Sequence, residues 1–90
     1  MTQLLDTIYY DSKKIEIIEI NQNKYFYHSG VKRNVLITFN ELELFIKGSV
    51  NRKKADCGAI MFKERDIMQI DCLTFPIKEL KTLIRKYKRK

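Results

Sequence analysis

The residues best equipped for chemistry in this sequence are cations, and they crowd one end. Positions 76–90 hold Lys78, Lys81, Arg85, Lys86, Lys88, Arg89 and Lys90 against Glu79 alone, a net charge of +6. The other seventy-five residues supply only +1 of the chain's total of +7. Smaller basic groups recur at Lys13-Lys14, Lys32-Arg33 and Arg52-Lys53-Lys54. Clustered Lys and Arg form the electrostatic footprint of a polyanion binder, since every phosphate they neutralise releases condensed counterions. The plain alternative is a solvated, solubilising terminal run.

A second group of interest is aromatic. In Lys24-Tyr25-Phe26-Tyr27-His28, strand alternation sends Phe26 and His28 one way and Tyr25 and Tyr27 the other. Aromatic rings projecting from a sheet beside cations hold single-stranded nucleic acid: bases stack on the rings while Lys and Arg follow the phosphates. Lys32-Arg33 lies close in sequence to these tyrosines. Tyr is also a favoured strand residue, so the pair can equally cover a sheet face.

The inventory for catalysis is thin. There is one histidine, no tryptophan and no glycine-rich loop, which excludes a P-loop or dinucleotide fingerprint. A Cys/His nucleophile would need Cys57 or Cys72 beside His28, with nothing to supply an orienting third group. Neither cysteine belongs to a CxxC pair, so a Cys/His zinc site lacks ligands, and buried free thiols are expected. Glu64, Asp66 and Asp71 suggest a magnesium-dependent nuclease as a minor alternative, but the first two fall in an expected turn, where acids are common. No catalytic residue, metal or cofactor is assigned.

These groups must be carried by a single small domain, since 90 residues leave no room for two. Hydrophobic residues at 44% and charged at 32% are ordinary for a globular protein and exclude disordered, collagen-like and disulfide-framework classes. No apolar run reaches the length of a membrane span, and Met1-Thr2-Gln3-Leu4-Leu5-Asp6 lacks the character of a signal peptide. A cytoplasmic protein with no membrane partner is the expectation.

Lys14–Ile20 reads as a strand, with the doubled Ile17-Ile18 signalling a bulge or burial on both faces. A turn at Asn21-Gln22-Asn23, a strand over Lys24–His28, a basic loop over Ser29–Asn34 and a strand over Val35–Phe39 follow. Asn40 is the expected N-cap of a nine-residue helix ending at Gly48. Ser49–Asp56 reads as a polar, basic loop. A hairpin comes next, made of Gly58–Phe62, a turn near Lys63-Glu64-Arg65-Asp66, and Ile67–Leu73. Thr74 caps a last helix over about 75–88, with Pro76 in its first turn and Ile77, Leu80, Leu83, Ile84 and Tyr87 as its apolar stripe. Leu36-Ile37-Thr38-Phe39 and Cys72-Leu73-Thr74-Phe75 echo one another ahead of their helices, as two unrelated strand-to-helix junctions also can.

The expected fold is therefore α+β: a mostly antiparallel sheet of about five strands in the order βββα-ββα, with two helices on one face. The leading functional expectation is a small non-catalytic nucleic-acid-binding protein, duplex or single-stranded target unresolved. Lys78, Lys81, Arg85, Lys86, Lys88 and Arg89 would capture phosphates, with Arg52, Lys53, Lys54, Lys32 and Arg33 widening the patch and Tyr25 and Tyr27 available for stacking. Specificity would be low, because phosphate contacts position without specifying. The alternative is a protein-interaction module or inhibitor, in the manner of phage or mobile-element accessory proteins, docking on a larger partner. Open strand edges would also suit pairing of two copies into a homodimer.

Overall fold

Short hairpin turns set the architecture. In the computed structural model, which describes residues 1–88, the chain runs β1 (Thr2–Tyr10), β2 (Lys13–Ile20), β3 (Asn23–Ser29), β4 (Asn34–Thr38), α1 (Phe39–Lys47), β5 (Arg52–Lys54), β6 (Ile60–Glu64), β7 (Ile67–Ile70), β8 (Leu73–Pro76) and α2 (Ile77–Lys88). Asp11-Ser12 and Asn21-Gln22 join β1 to β2 and β2 to β3 with both central residues left-handed, the backbone whose twist matches an antiparallel pair. Arg65 and Asp71 open the β6–β7 and β7–β8 turns of the second half, each at φ 55°.

The class is α+β, but the strands form two antiparallel sheets, β1-β2-β3-β4 and β5-β6-β7-β8, each followed by its helix. This corrects the single five-stranded sheet. Three strands account for the difference: β1, β5 within the expected Ser49–Asp56 loop, and β8, which a turn at Asp71-Cys72 cuts from the expected Ile67–Leu73 strand. The chain thus runs through the order ββββα twice, with the Thr-Phe echo near the end of the fourth strand in each half. Its details diverge. Thr38 caps α1, its hydroxyl accepting from the Glu41 N–H at 3.0 Å, so Asn40 lies inside the helix rather than capping it. Thr74 instead lies exposed on β8, and α2 starts after Pro76.

One core serves both halves. Ile15, Ile17, Phe26, Val35 and Ile37 from the first sheet join Met61, Met68, Ile70, Leu73 and Phe75 from the second, with Leu42 and Phe45 of α1 and Leu80 and Ile84 of α2. Phe75 sits edge-on to Phe26 and to Tyr10, with centroids 5.3 and 5.0 Å away. His28 is buried in the same sheet face, its Nδ1–H donating to the Lys14 carbonyl at 2.9 Å. The bulge lies in β1: Leu4 faces Ile18 and Asp6 faces Ile17, which leaves Leu5 as the extra residue. Across from it β2 stays regular, with Ile17 buried and Ile18 half-buried on the other face. Cys57 is half-buried and Cys72 is exposed in its turn, which corrects the expectation that both thiols are buried.

The halves are fastened reciprocally. From β6, the Lys63 ammonium donates to the carbonyls of Phe45 (2.6 Å), Ile46 (3.0 Å) and Gly48 (2.6 Å), closing the C-terminal end of α1. From β1, Asp6 accepts from the Tyr87 hydroxyl at 2.8 Å and Tyr10 donates to Glu79, holding α2. Each helix is therefore secured by a strand of the other half.

Candidate nucleic-acid interface

Cations and exposed aromatic surface meet on the second half. Because Met61, Met68, Ile70, Leu73 and Phe75 point into the core, the intervening residues of β6–β8 point outward. Phe62 and Ile67 stay 37% and 45% exposed there, beside Gln69 and Thr74. Register places Arg52 opposite Phe62 and Lys54 opposite Ile60, so both cations stand on this face, while Lys53 opposes the inward Met61. An all-basic, all-exposed edge strand also discourages edge-to-edge aggregation.

This face continues into two grooves. Phe62, Ile67, Gln69 and Thr74 share a depression with Glu64 and Arg65 at the β6–β7 hairpin tip. Glu64 and Arg65 also line a groove of about 660 Å³ that runs past Asn51 and Pro76 to Lys78 and Lys81. Lys81 and Ile46 then line a third depression, between α1 and α2, with Lys47, Arg85 and Lys88. The Asp66 carbonyl accepts from the Ile77 N–H at 2.8 Å and keeps the hairpin tip against the start of α2. The result is one track from an apolar sheet face to a cationic helix, lined by seven Lys and Arg residues against Glu43, Glu64 and Asp66.

The expected binding residues separate on this frame. Lys78, Lys81 and Arg85 are exposed along the track, and among the described residues none has a carboxylate within ion-pairing distance. Lys88 is on the track but is engaged, with its ammonium 2.5 Å from Glu43, which also pairs with Lys47 at 3.4 Å. These two lysines hold the Glu43 carboxyl below its usual range, the Lys88 hydrogen bond having the largest effect. Lys86 turns to the other side of α2, 3.8 Å from Asp6, whose carboxyl is lowered chiefly by the Tyr87 hydroxyl. Arg89 lies outside the described residues.

Lys32 is exposed in the β3–β4 loop, and Arg33 donates to the Gly58 carbonyl at 3.1 Å, bridging the two halves at the end away from α2's start. Tyr25 and Tyr27 lie half-buried on the outer face of the first sheet, which points away from the shared core as the outer face of the second sheet does. The tyrosines and Arg52-Lys54 therefore do not share a face.

Phe62, Arg65, Gln69, Thr74 and Lys47 complete the track and were not singled out from sequence. Alternation around inward Met61 is the signal that sets Phe62 outward; nothing local in sequence assigns the hairpin tip to the start of α2. Glu64 ends β6 and Asp66 lies in the β6–β7 turn, and among the described residues no three His, Cys, Asp or Glu side chains converge as metal ligands. No helix among the described residues is long and apolar enough to cross a membrane. Compared with protein-family models, curated proteins and solved structures, the chain matches none.

Proposed function

We propose that this chain is a small non-catalytic protein that binds single-stranded nucleic acid with low sequence specificity. The observation that supports this is the unbroken passage from the Phe62 face, flanked by Arg52 and Lys54, over Arg65 to Lys78, Lys81 and Arg85. Bases stack on the exposed ring and on the flat apolar surface beside it, and the cations follow the phosphates. A duplex keeps its base faces covered and gains only the phosphate contacts. Gln69 and Thr74 offer hydrogen bonds to whichever base edge lies above them, a weak source of preference.

Fluorescence anisotropy with labelled single and double strands, titrated over salt, tests the reading. Single strands should bind more tightly, with a log–log salt slope near −4 if about six phosphates are neutralised. Absence of binding at low salt would refute it.

A further inference from the structure

We propose that the depression at Phe62 and the β6–β7 hairpin tip is a subsite that selects a guanine base. This rests on the track being a single-strand site and adds one base preference to it. Strand alternation and register set Phe62, Glu64, Ile67, Gln69 and Thr74 on the outer face of the second sheet, where they share the depression with Arg65. A base stacked on the Phe62 ring has Glu64 two residues along β6, about 7 Å away and on the same side.

Glu64 is the residue that phosphate binding alone does not explain. Glu43, also on the track, is neutralised by Lys47 and Lys88. Among the described residues Glu64 has no cation within ion-pairing distance, and its charge repels passing phosphates. Asp66 lines the neighbouring groove, not this depression. A carboxylate offers acceptors only. Guanine alone among the bases presents side-by-side donors on its pairing edge, N1–H and the N2 amino group, and so fills both oxygens. Adenine and cytosine each set one amino donor beside a ring nitrogen whose lone pair would face the carboxylate. Thymine and uracil set a single N–H between two carbonyls. Guanine O6 lies next to N1, and Arg65, which follows Glu64 and lines the same depression, supplies a donor for it. Arg65 holds φ at 55°, a backbone easier for Gly, Asn or Asp, so the turn keeps this long cationic side chain at some cost. One selected position in a longer strand leaves overall specificity low.

Fluorescence anisotropy with labelled oligothymidines that differ at one central base tests this. Wild type should bind the oligomer with a central guanine roughly tenfold more tightly than those with adenine, cytosine or thymine there, as one bidentate contact allows. Inosine, which lacks the N2 amino group, should lose most of that gain. Glu64→Gln should erase the preference yet bind the all-thymine oligomer at least as tightly as wild type, because a charge facing the phosphates is gone. That retained binding also shows the variant to be folded. Equal affinity for every oligomer would overturn the guanine subsite and leave the single-strand reading standing. So would a guanine preference that survives Glu64→Gln. No binding of any oligomer at low salt would refute both.

Discussion

Lys63 and Phe45 are joined twice: the ammonium donates to the Phe45 carbonyl at 2.6 Å and lies 5.1 Å from the centroid of its ring. With Ile46 and Gly48 also accepting, one side chain of β6 satisfies three carbonyls that the end of α1 leaves open. Charged hydrogen bonds to backbone contribute about 1.5–3 kcal/mol. Lys63→Met keeps the apolar stem and removes the donors. It should cost about 2 kcal/mol and lower Tm by about 10 °C, as read by calorimetry. A Tm within a degree or two of wild type would show that water replaces the ammonium at no cost.

Single substitutions should separate the track from the rest of the basic surface. Lys81→Glu and Arg85→Glu should each weaken oligonucleotide binding strongly at moderate salt, while Lys86→Glu and Lys53→Glu, both off the track, should change affinity little. Equal losses from all four positions would point to diffuse charge instead of a defined path.

Phe62→Ala should weaken single-strand binding by about 1–3 kcal/mol while leaving the salt slope unchanged, because stacking releases no counterions. Arg52→Ala should instead flatten the slope by about 0.7 for one lost phosphate contact. Titration over salt distinguishes the two signatures, and a flattened slope in Phe62→Ala would contradict the stacking role.

Alkaline pH should loosen the hold of β1 on α2. Burial first, and then the facing carboxylates Glu79 and Asp6, push the Tyr10 and Tyr87 hydroxyls from 10.0 to about 12. Folding thus favours the protonated phenols: their contribution is full below pH 10 and is lost as pH rises toward 12. At the acid end, Asp6 and Glu43 are lowered from 3.8 and 4.5, so their contribution is present above those values and lost as pH falls through the lowered ones. Denaturant midpoints between pH 8 and 12 should fall more steeply for wild type than for Tyr10→Phe/Tyr87→Phe. Parallel curves would count against this linkage.

Gly58 holds φ at +99°, and a Cβ built there would meet the Arg33 guanidinium at 3.0 Å. Gly58→Ala should destabilise by about 1 kcal/mol or more, since that backbone region is nearly closed to side chains. Thermal melts would register the change, and an unshifted Tm would mean the β5–β6 loop readily adopts another path.

Where side chains alternate in burial, the elements were legible: β2, β3, β4, β6 and both helices fall within a few residues of where the pattern puts them. The three missed strands each lack that pattern. β1 carries its bulge at Leu5, so apolar residues change side midway and Leu4-Leu5 and Tyr9-Tyr10 break the alternation. β5 is exposed at every position and is held by backbone pairing alone. β8 was concealed by continuity, although the three-residue step from buried Ile70 to buried Leu73 marks the turn at Asp71-Cys72. For the site, the cations of α2 were readable as a cluster. Their junction with the Phe62 face depends on hairpin packing between residues such as Asp66 and Ile77, which no local pattern encodes.

The Asp6–Tyr87 and Tyr10–Glu79 fastenings span 81 and 69 residues, joining the first strand to the last helix. On a ribosome, β1 is made well before the helix that secures it. The end of α1 likewise waits for Lys63 before its carbonyls are closed. The first ββββα unit therefore lacks these fastenings until Glu79 and Tyr87 have been made. In the interval the nascent chain exposes the apolar faces that the finished protein divides between its core and its surface.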